Sequence, residues 1–130
     1  MMLMREGTAP IVRREDYTAP AYTIRQAELT FDLDAAKTIV ASKLAIERDT
    51  TQPTQPLRLH GEDLNLLRVL IDGQSVSFRH EDGLLVLDAP AADAFTLEIR
   101  NTVAPEKNTQ LSGLYASGSG LFTQCEAEGF

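Results

Sequence analysis

The sequence predicts an all-β fold, either a β-sandwich or a saddle-like arrangement of antiparallel sheets. Apolar residues recur with a period of two along most segments, which is the spacing of a strand with one buried face. The pairs Asp72-Gly73 and Asp82-Gly83 separate such segments and are typical hairpin turns. About seven short strands with turns between them indicate a sandwich. With 130 residues, the chain has room for one core but not for a second.

The first two predicted strands form a long hairpin. Leu29, Phe31 and Leu33 alternate with polar residues, which predicts a half-buried strand, and residues 34–37 form the turn. On the return strand one side is expected to carry Val40, Ser42, Leu44 and Ile46. The full set of predicted longer strands lies near residues 24–33, 38–47, 66–71, 75–79, 84–87 and 95–100.

The remaining segments are shorter. Residues 49–56 are rich in Thr, Gln and Pro and predict a loop, after which a short strand begins at Leu57. Residues 75–79 are predicted as the strand returning from Asp72-Gly73. The apolar run 84–87 is typical of a strand buried on both faces. A short helix at 89–94 is an open alternative to a plain connection.

The predicted domain organisation is an N-terminal arm over residues 1–20 and one β-domain over residues 21–130. Pro10 and Pro20 interrupt regular structure in the arm. Tyr17 and Tyr22 are candidates for attaching the arm to the domain.

Charge and cysteine content exclude several classes of partner. The net charge of −7 and the scattered Lys and Arg residues argue against a nucleic-acid surface. No signal peptide or membrane-spanning stretch is evident in the sequence. A single cysteine, Cys125, fits a reducing compartment. We therefore expect a cytoplasmic location, with neither nucleic acid nor membrane as a partner.

Metal-ligating residues are too few for a complete site. Zinc in proteins takes three or four N, S or O ligands, usually with close paired spacing. His60 and His80 stand beside acidic residues, but no His-x-x-x-His or Cys-x-x-Cys spacing occurs. Both histidines are expected to be solvated loop residues, and no metal site is predicted.

Nucleophilic catalysis also lacks its components. Cys125 has no histidine in its local sequence that would lower the pKa of its thiol. Ser117 and Ser119 lie in Ser-Gly-Ser-Gly, which lacks the Gly-x-Ser-x-Gly pattern and is too short to cradle a phosphate. This stretch predicts a turn before a strand.

The C-terminal segment carries two carboxylates at alternate positions. Glu126 and Glu128 would point to the same face of an extended chain. By themselves they indicate no more than a solvated surface.

Four blocks of the chain together resemble the bacterial aminopeptidase N family, in the family's order. The first block comprises residues 16–24 and 29–34, the second residues 57–64, and the third residues 108–109 with 113–118. The fourth and most specific block is Thr123-Gln124-Cys125-Glu126-Ala127-Glu128-Gly129-Phe130. The resemblance covers nearly the whole chain apart from the first dozen or so residues.

The resemblance implies the N-terminal domain of a four-domain zinc aminopeptidase, of the alanyl aminopeptidase type, that removes N-terminal residues from peptides. It places the zinc ligands in a His-Glu-x-x-His helix of the downstream catalytic domain, so this chain would hold neither zinc nor a catalytic residue. It also implies that Glu126 binds the α-ammonium group of the peptide substrate and that Gln124 lines the pocket for the first side chain. No role is implied for Glu128, and Cys125 is expected to be a packed small side chain.

A second class of function remains open at this point. An all-β module without catalysis, which binds a protein or a carbohydrate through a sheet face, would leave the C-terminal acids without a role. An aminopeptidase domain would instead expose an apolar face that the catalytic domain normally covers.

Overall fold

The computed structural model describes residues 13–61 and 63–124. Within these residues the strands are β1 (Tyr22–Asp32), β2 (Thr38–Arg48), β3 (Leu57–His60), β4 (Asn65–Ile71), β5 (Gln74–Ser75), β6 (Phe78–Glu81), β7 (Leu84–Leu87), β8 (Ala94–Val103), β9 (Gly113–Ser117) and β10 (Gly120–Gln124). Short 3-10 helices span Arg14–Asp16 and Pro105–Lys107. The strand pairings are antiparallel, which confirms the predicted all-β class.

The strands form three sheets, two of which share a core. The large sheet has the order β1-β2-β8-β4-β5, the small sheet the order β3-β7-β6, and β9 and β10 form a hairpin. Residues of the large and small sheets pack together in one buried cluster that comprises Leu44, Ile46, Leu57, Val69, Leu85, Leu87, Phe95 and Leu97. The two sheets therefore form a sandwich around a single core.

The turn between β1 and β2 is held by side chains that the sequence places next to it. The Asp34 carboxylate accepts hydrogen bonds from the backbone N–H groups of Ala36 and Lys37, at 2.8 and 3.0 Å. The hydroxyl of Thr38, which is fully buried, donates to the Asp34 carbonyl at 2.7 Å. These bonds satisfy the backbone at the turn, so the predicted hairpin of residues 34–37 is confirmed.

Both predicted Asp-Gly turns are present. Asp72 and Gly73 have φ values of 49° and 82°, and Asp82 and Gly83 have values of 46° and 75°. Positive φ at both central residues is what a type I′ hairpin turn requires, and Asp followed by Gly tolerates it well.

One strand prediction was wrong, and one open alternative is decided. The strand predicted over 75–79 is divided: β5 pairs with β4 in the large sheet, and β6 pairs with β7 in the small sheet. The chain therefore passes from one sheet to the other after Val76, whose N–H still bonds to the Val69 carbonyl at 3.2 Å. Of the two alternatives left open for residues 89–94, the structure has the plain connection, in which the Asp93 carboxylate binds Arg48 at 2.9 Å.

The predicted burial of β1 was also wrong. Tyr22 is partly buried and every later residue of β1 is exposed, including Leu29 and Phe31, and Leu33 just beyond the strand is exposed as well. β1 is an edge strand of the large sheet, and the short strands of the small sheet do not cover it. The strand at 84–87 behaves as predicted, with three of its four residues buried.

Two residues attach the arm to the domain: Tyr22, which was a predicted candidate, and Gln52, which sequence analysis overlooked. Tyr17 remains 74% exposed, so its predicted role in attachment was wrong. Tyr22 donates its hydroxyl to the Gln55 carbonyl at 2.7 Å and packs its ring edge-on against Phe95. Burial of this hydroxyl raises the pKa of Tyr22. The second attachment is Gln52, whose amide donates to the carbonyls of Ala19 and Pro20 at 3.3 Å.

Candidate functional site

The candidate site begins at the free end of the β9–β10 hairpin. Gln124 is the last residue of β10, is exposed, and pairs across the hairpin with Gly113, the first residue of β9. Glu126, Cys125 and Glu128 lie outside the described residues. Of the residues that the sequence predicts to bind substrate, Gln124 therefore has a described position and Glu126 does not.

The hairpin has a tight turn at its other end. β9 ends at Ser117 and β10 begins at Gly120. The Ser-Gly-Ser-Gly stretch therefore forms a turn before a strand, as predicted. Gly118 has a φ of +60°, a value that glycine adopts without strain. Along the strands, the rings of Tyr115 and Phe122 stack with centroids 5.9 Å apart, which holds β10 in register with β9.

Asn108 fixes the loop that leads into the hairpin. Its side-chain amide donates to the carbonyls of Ser112 and Leu114, at 2.7 and 2.8 Å, and its carbonyl oxygen accepts the Gln110 N–H at 3.2 Å. The two bonds from the amide hold the start of β9, which is the strand end opposite Gln124. Sequence analysis gave Asn108 no role, although it belongs to a block shared with the family. The one available signal was the preference of Asn for turns.

We expect Asn108→Ala to loosen the start of β9 and the end of β10 together. Each hydrogen bond that is lost is worth about 0.5–1.5 kcal/mol, so local opening becomes more frequent. Hydrogen–deuterium exchange followed by mass spectrometry should show faster exchange at residues 113–114 and 123–124, whereas Gln110→Ala should leave these rates near those of wild type. Equal exchange in both variants would mean that Asn108 does not hold the hairpin.

The two histidines are exposed, as predicted, but they belong to strands rather than loops. His60 ends β3 and His80 lies within β6, where it pairs with Leu85 across the Asp82-Gly83 turn. The turn is shorter than the sequence suggested because pairing continues up to Glu81. His80 also contacts the ring of Phe78, with centroids 6.1 Å apart.

The described part of the chain contains no group of three or more His, Cys, Asp or Glu residues placed to hold a metal ion. In that same part, no helix is both long enough and apolar enough to cross a membrane.

The outer face of the large sheet carries a shallow groove of about 170 Å³. Five of its ten lining residues are charged: Glu28, Lys43 and Glu98 occupy one row across the strands, and Arg68 and Arg100 face each other in the next. No aromatic ring lines this groove. Small-molecule pockets are mostly apolar and aromatic, so the groove gives no specific support to a carbohydrate-binding module.

Comparison with solved structures places the fold among domains of aminopeptidases and related hydrolases. Legionella pneumophila aminopeptidase A, solved in complex with aspartic acid, matches with a TM-score of 0.77 and 21% identity over 88% of this chain and 14% of that chain. Native yeast LTA4 hydrolase matches with a TM-score of 0.60 and 20% identity over 68% of this chain and 15% of that chain. At these identities, the likeness shows the fold.

Three curated relatives that share the name aminopeptidase N match this chain along most of its length. Aminopeptidase N of Escherichia coli is 48% identical over 90% of this chain, and those of Caulobacter vibrioides and Haemophilus influenzae are 37% and 38% identical over 98% and 90% of it. Over nine-tenths or more of its length, the chain is therefore similar to aminopeptidase N. It spans 13–15% of the length of these relatives. No family model matches the chain.

Proposed function

We propose that this chain is the N-terminal domain of a zinc-dependent aminopeptidase that hydrolyses N-terminal residues from peptides. The observation that carries the proposal is the 48% identity to an aminopeptidase N over 90% of the chain. The antiparallel sandwich and the hairpin that ends at Gln124 are consistent with a domain that supports a substrate-contacting segment.

Within that enzyme, this domain supplies the recognition of the substrate's amino terminus. Glu126 binds the α-ammonium group, because a carboxylate facing a cationic amine makes a strong, charge-assisted hydrogen bond. Such a carboxylate also distinguishes a free amino terminus from an internal peptide bond, which has no charge to offer. Gln124, at the end of β10, lines the pocket for the first side chain and offers both a donor and an acceptor.

The zinc that this function requires does not fit the described residues. They offer no group of three ligands, and His60 and His80 lie on separate strands of the small sheet. We place the zinc ligands in the catalytic domain of the same polypeptide, beyond this chain. The partners are therefore that domain and the amino terminus of a peptide. The single Cys125 supports a cytoplasmic location.

The proposal is tested by comparing the full-length gene product with the 130-residue chain. We expect the full-length protein to contain stoichiometric zinc and to hydrolyse an alanyl amide. The chain alone should lose zinc on gel filtration and show no turnover, because it lacks a ligand set and a base–nucleophile pair. A full-length protein without peptidase activity would contradict the proposal. Turnover by the 130-residue chain would show a catalytic site within it.

A further inference from the structure

Two arginines stand directly opposite each other on the outer face of the large sheet. Arg68 of β4 pairs with Arg100 of β8, and both are exposed. They lie on the face away from the core, because the next residue of β4, Val69, is buried in the core cluster. Paired residues of this kind have Cβ atoms about 4.5–5.5 Å apart, so both guanidinium groups can reach one small ligand. We call Arg68 and Arg100 the arginine pair.

The two positive charges of the arginine pair have no partner in the described part of the chain. Like charges that stand directly opposite in an antiparallel sheet repel each other. Within residues 13–61 and 63–124, neither guanidinium group forms an ion pair or a hydrogen bond. By contrast, Arg25, Arg48 and Arg79 each bind a carboxylate. The arginine pair therefore offers an anion two cations that no described carboxylate binds.

A β-bulge determines this pairing. β4 and β8 pair as Leu66 with Asn101 and, after the extra residue Leu67, at the arginine pair. Without the bulge, the register of Leu66 would place Arg68 opposite Ile99, which packs against the core. The bulge therefore brings the two arginines together on the outer face. Bulges are frequent beside functional sites, where they redirect a side chain.

The arginine pair borders the shallow groove of about 170 Å³ on this face. In its row across the sheet, Arg100 is followed by Ala41 on β2 and then by Thr30 on β1. The methyl group of Ala41 leaves space beside the guanidinium groups, and the hydroxyl of Thr30 is a neutral hydrogen-bond donor. Lys43 lies two residues from Ala41 on the same face of β2 and adds a third cation to the lining.

The size and charge of the groove favour a small ion over a larger ligand. Its volume is below the roughly 300–1,000 Å³ of typical small-molecule pockets. Glu28 and Glu98 stand on either side of Lys43 in the neighbouring row, so an extended polyanion would meet two carboxylates there. Guanidinium groups bind phosphate through paired N–H···O bonds, and two of them balance the charge of a dianion.

We infer that Arg68 and Arg100 form a binding site for a small, doubly charged oxyanion of the phosphate type. A bound dianion neutralises both cations and removes the repulsion between them. The site does not depend on the proposed peptidase activity, whose zinc ligands we place outside this chain.

Modification of arginine by phenylglyoxal tests the site in the wild-type full-length protein. Arg58 of β3 is the matched control, because it is exposed, stands opposite Val86, and forms no ion pair with another described residue. The comparison is between sodium phosphate and sodium chloride at the same ionic strength, under mildly alkaline conditions in which phosphate is mainly dianionic. Phosphate should slow the modification of Arg68 and Arg100 about fivefold or more, because their N–H groups are engaged, and leave Arg58 unchanged. Peptide mass spectrometry reads the three sites separately.

The variant Arg68→Gln shows whether the two arginines act together. Arg100 should lose most of its protection by phosphate in this variant, because one guanidinium group holds a dianion much less tightly than two. Arg58→Gln removes a cation elsewhere and should leave the protection of Arg100 at the wild-type level. Full protection of Arg100 in Arg68→Gln would mean that the arginines do not form a joint site.

Four results with the wild-type protein would also overturn the inference. Equal protection by chloride would show screening by salt instead of binding. Equal protection of Arg58 would show an effect that is not specific to the arginine pair. Slow modification of Arg68 and Arg100 in both salts would show that another part of the protein covers them. Stronger protection by a phosphoserine peptide than by phosphate at equal concentration would assign the arginine pair to a phosphorylated partner.

Discussion

Replacing Glu126 with Ala in the full-length enzyme is expected to lower kcat/KM for an alanyl substrate by about 10- to 100-fold or more. A charge-assisted hydrogen bond to the substrate ammonium is worth roughly 1.5–3 kcal/mol when it is lost. Each 1.36 kcal/mol corresponds to about a tenfold change in rate. Zinc content should stay unchanged, because the substitution touches no proposed metal ligand. Steady-state kinetics together with metal analysis of the purified variant measure both quantities.

Glu128→Ala is the matched control for this experiment. It removes an identical carboxylate two residues away and should have a smaller effect if Glu126 alone anchors the amine. Should Glu126→Ala remain folded and match the wild type in kcat/KM, this domain would not recognise substrate through Glu126. It would then serve the enzyme as a scaffold.

Local patterns in the sequence predicted most of the fold. Period-two alternation located the long strands, and both Asp-Gly pairs form the turns that their backbone preferences favour. The exposure of Leu29 and Phe31 could not be predicted this way. Alternation shows which side chains share a face, but whether that face is covered depends on the length of the opposing sheet. The passage between sheets after Val76 likewise depends on which partner strand is nearer in space.

The candidate site was less accessible to reasoning from the residues alone. Two carboxylates at alternate positions do not distinguish a binding site from a solvated surface, so the proposed roles of Glu126 and Gln124 come from the family resemblance. The hydrogen bonds of Asn108 span six residues of a loop, and neither propensity nor periodicity describes such a loop. The prediction that this chain holds no metal site came from the number and spacing of its possible ligands.

The largest effect on stability is expected from Leu97→Ala. Leu97 has no exposed surface and lies on β8, the central strand of the large sheet, where it pairs with Leu44 of β2 and Ile71 of β4. Removing a buried leucine side chain forfeits its transfer free energy and leaves a cavity that a rigid sheet closes poorly. We expect the free energy of unfolding to fall by about 2–5 kcal/mol.

Leu67→Ala is the matched control, because Leu67 lies on β4 and is 51% exposed. An exposed position of this kind should change the free energy of unfolding by less than about 0.5 kcal/mol. Urea denaturation of the 130-residue chain, followed by far-UV circular dichroism, measures both variants on the same scale. If the large and small sheets share one core centred on β8, Leu97→Ala must lower the free energy of unfolding much more than Leu67→Ala does. Equal effects of the two substitutions would mean that Leu97 is not in a packed interior and that the two sheets do not form the sandwich described.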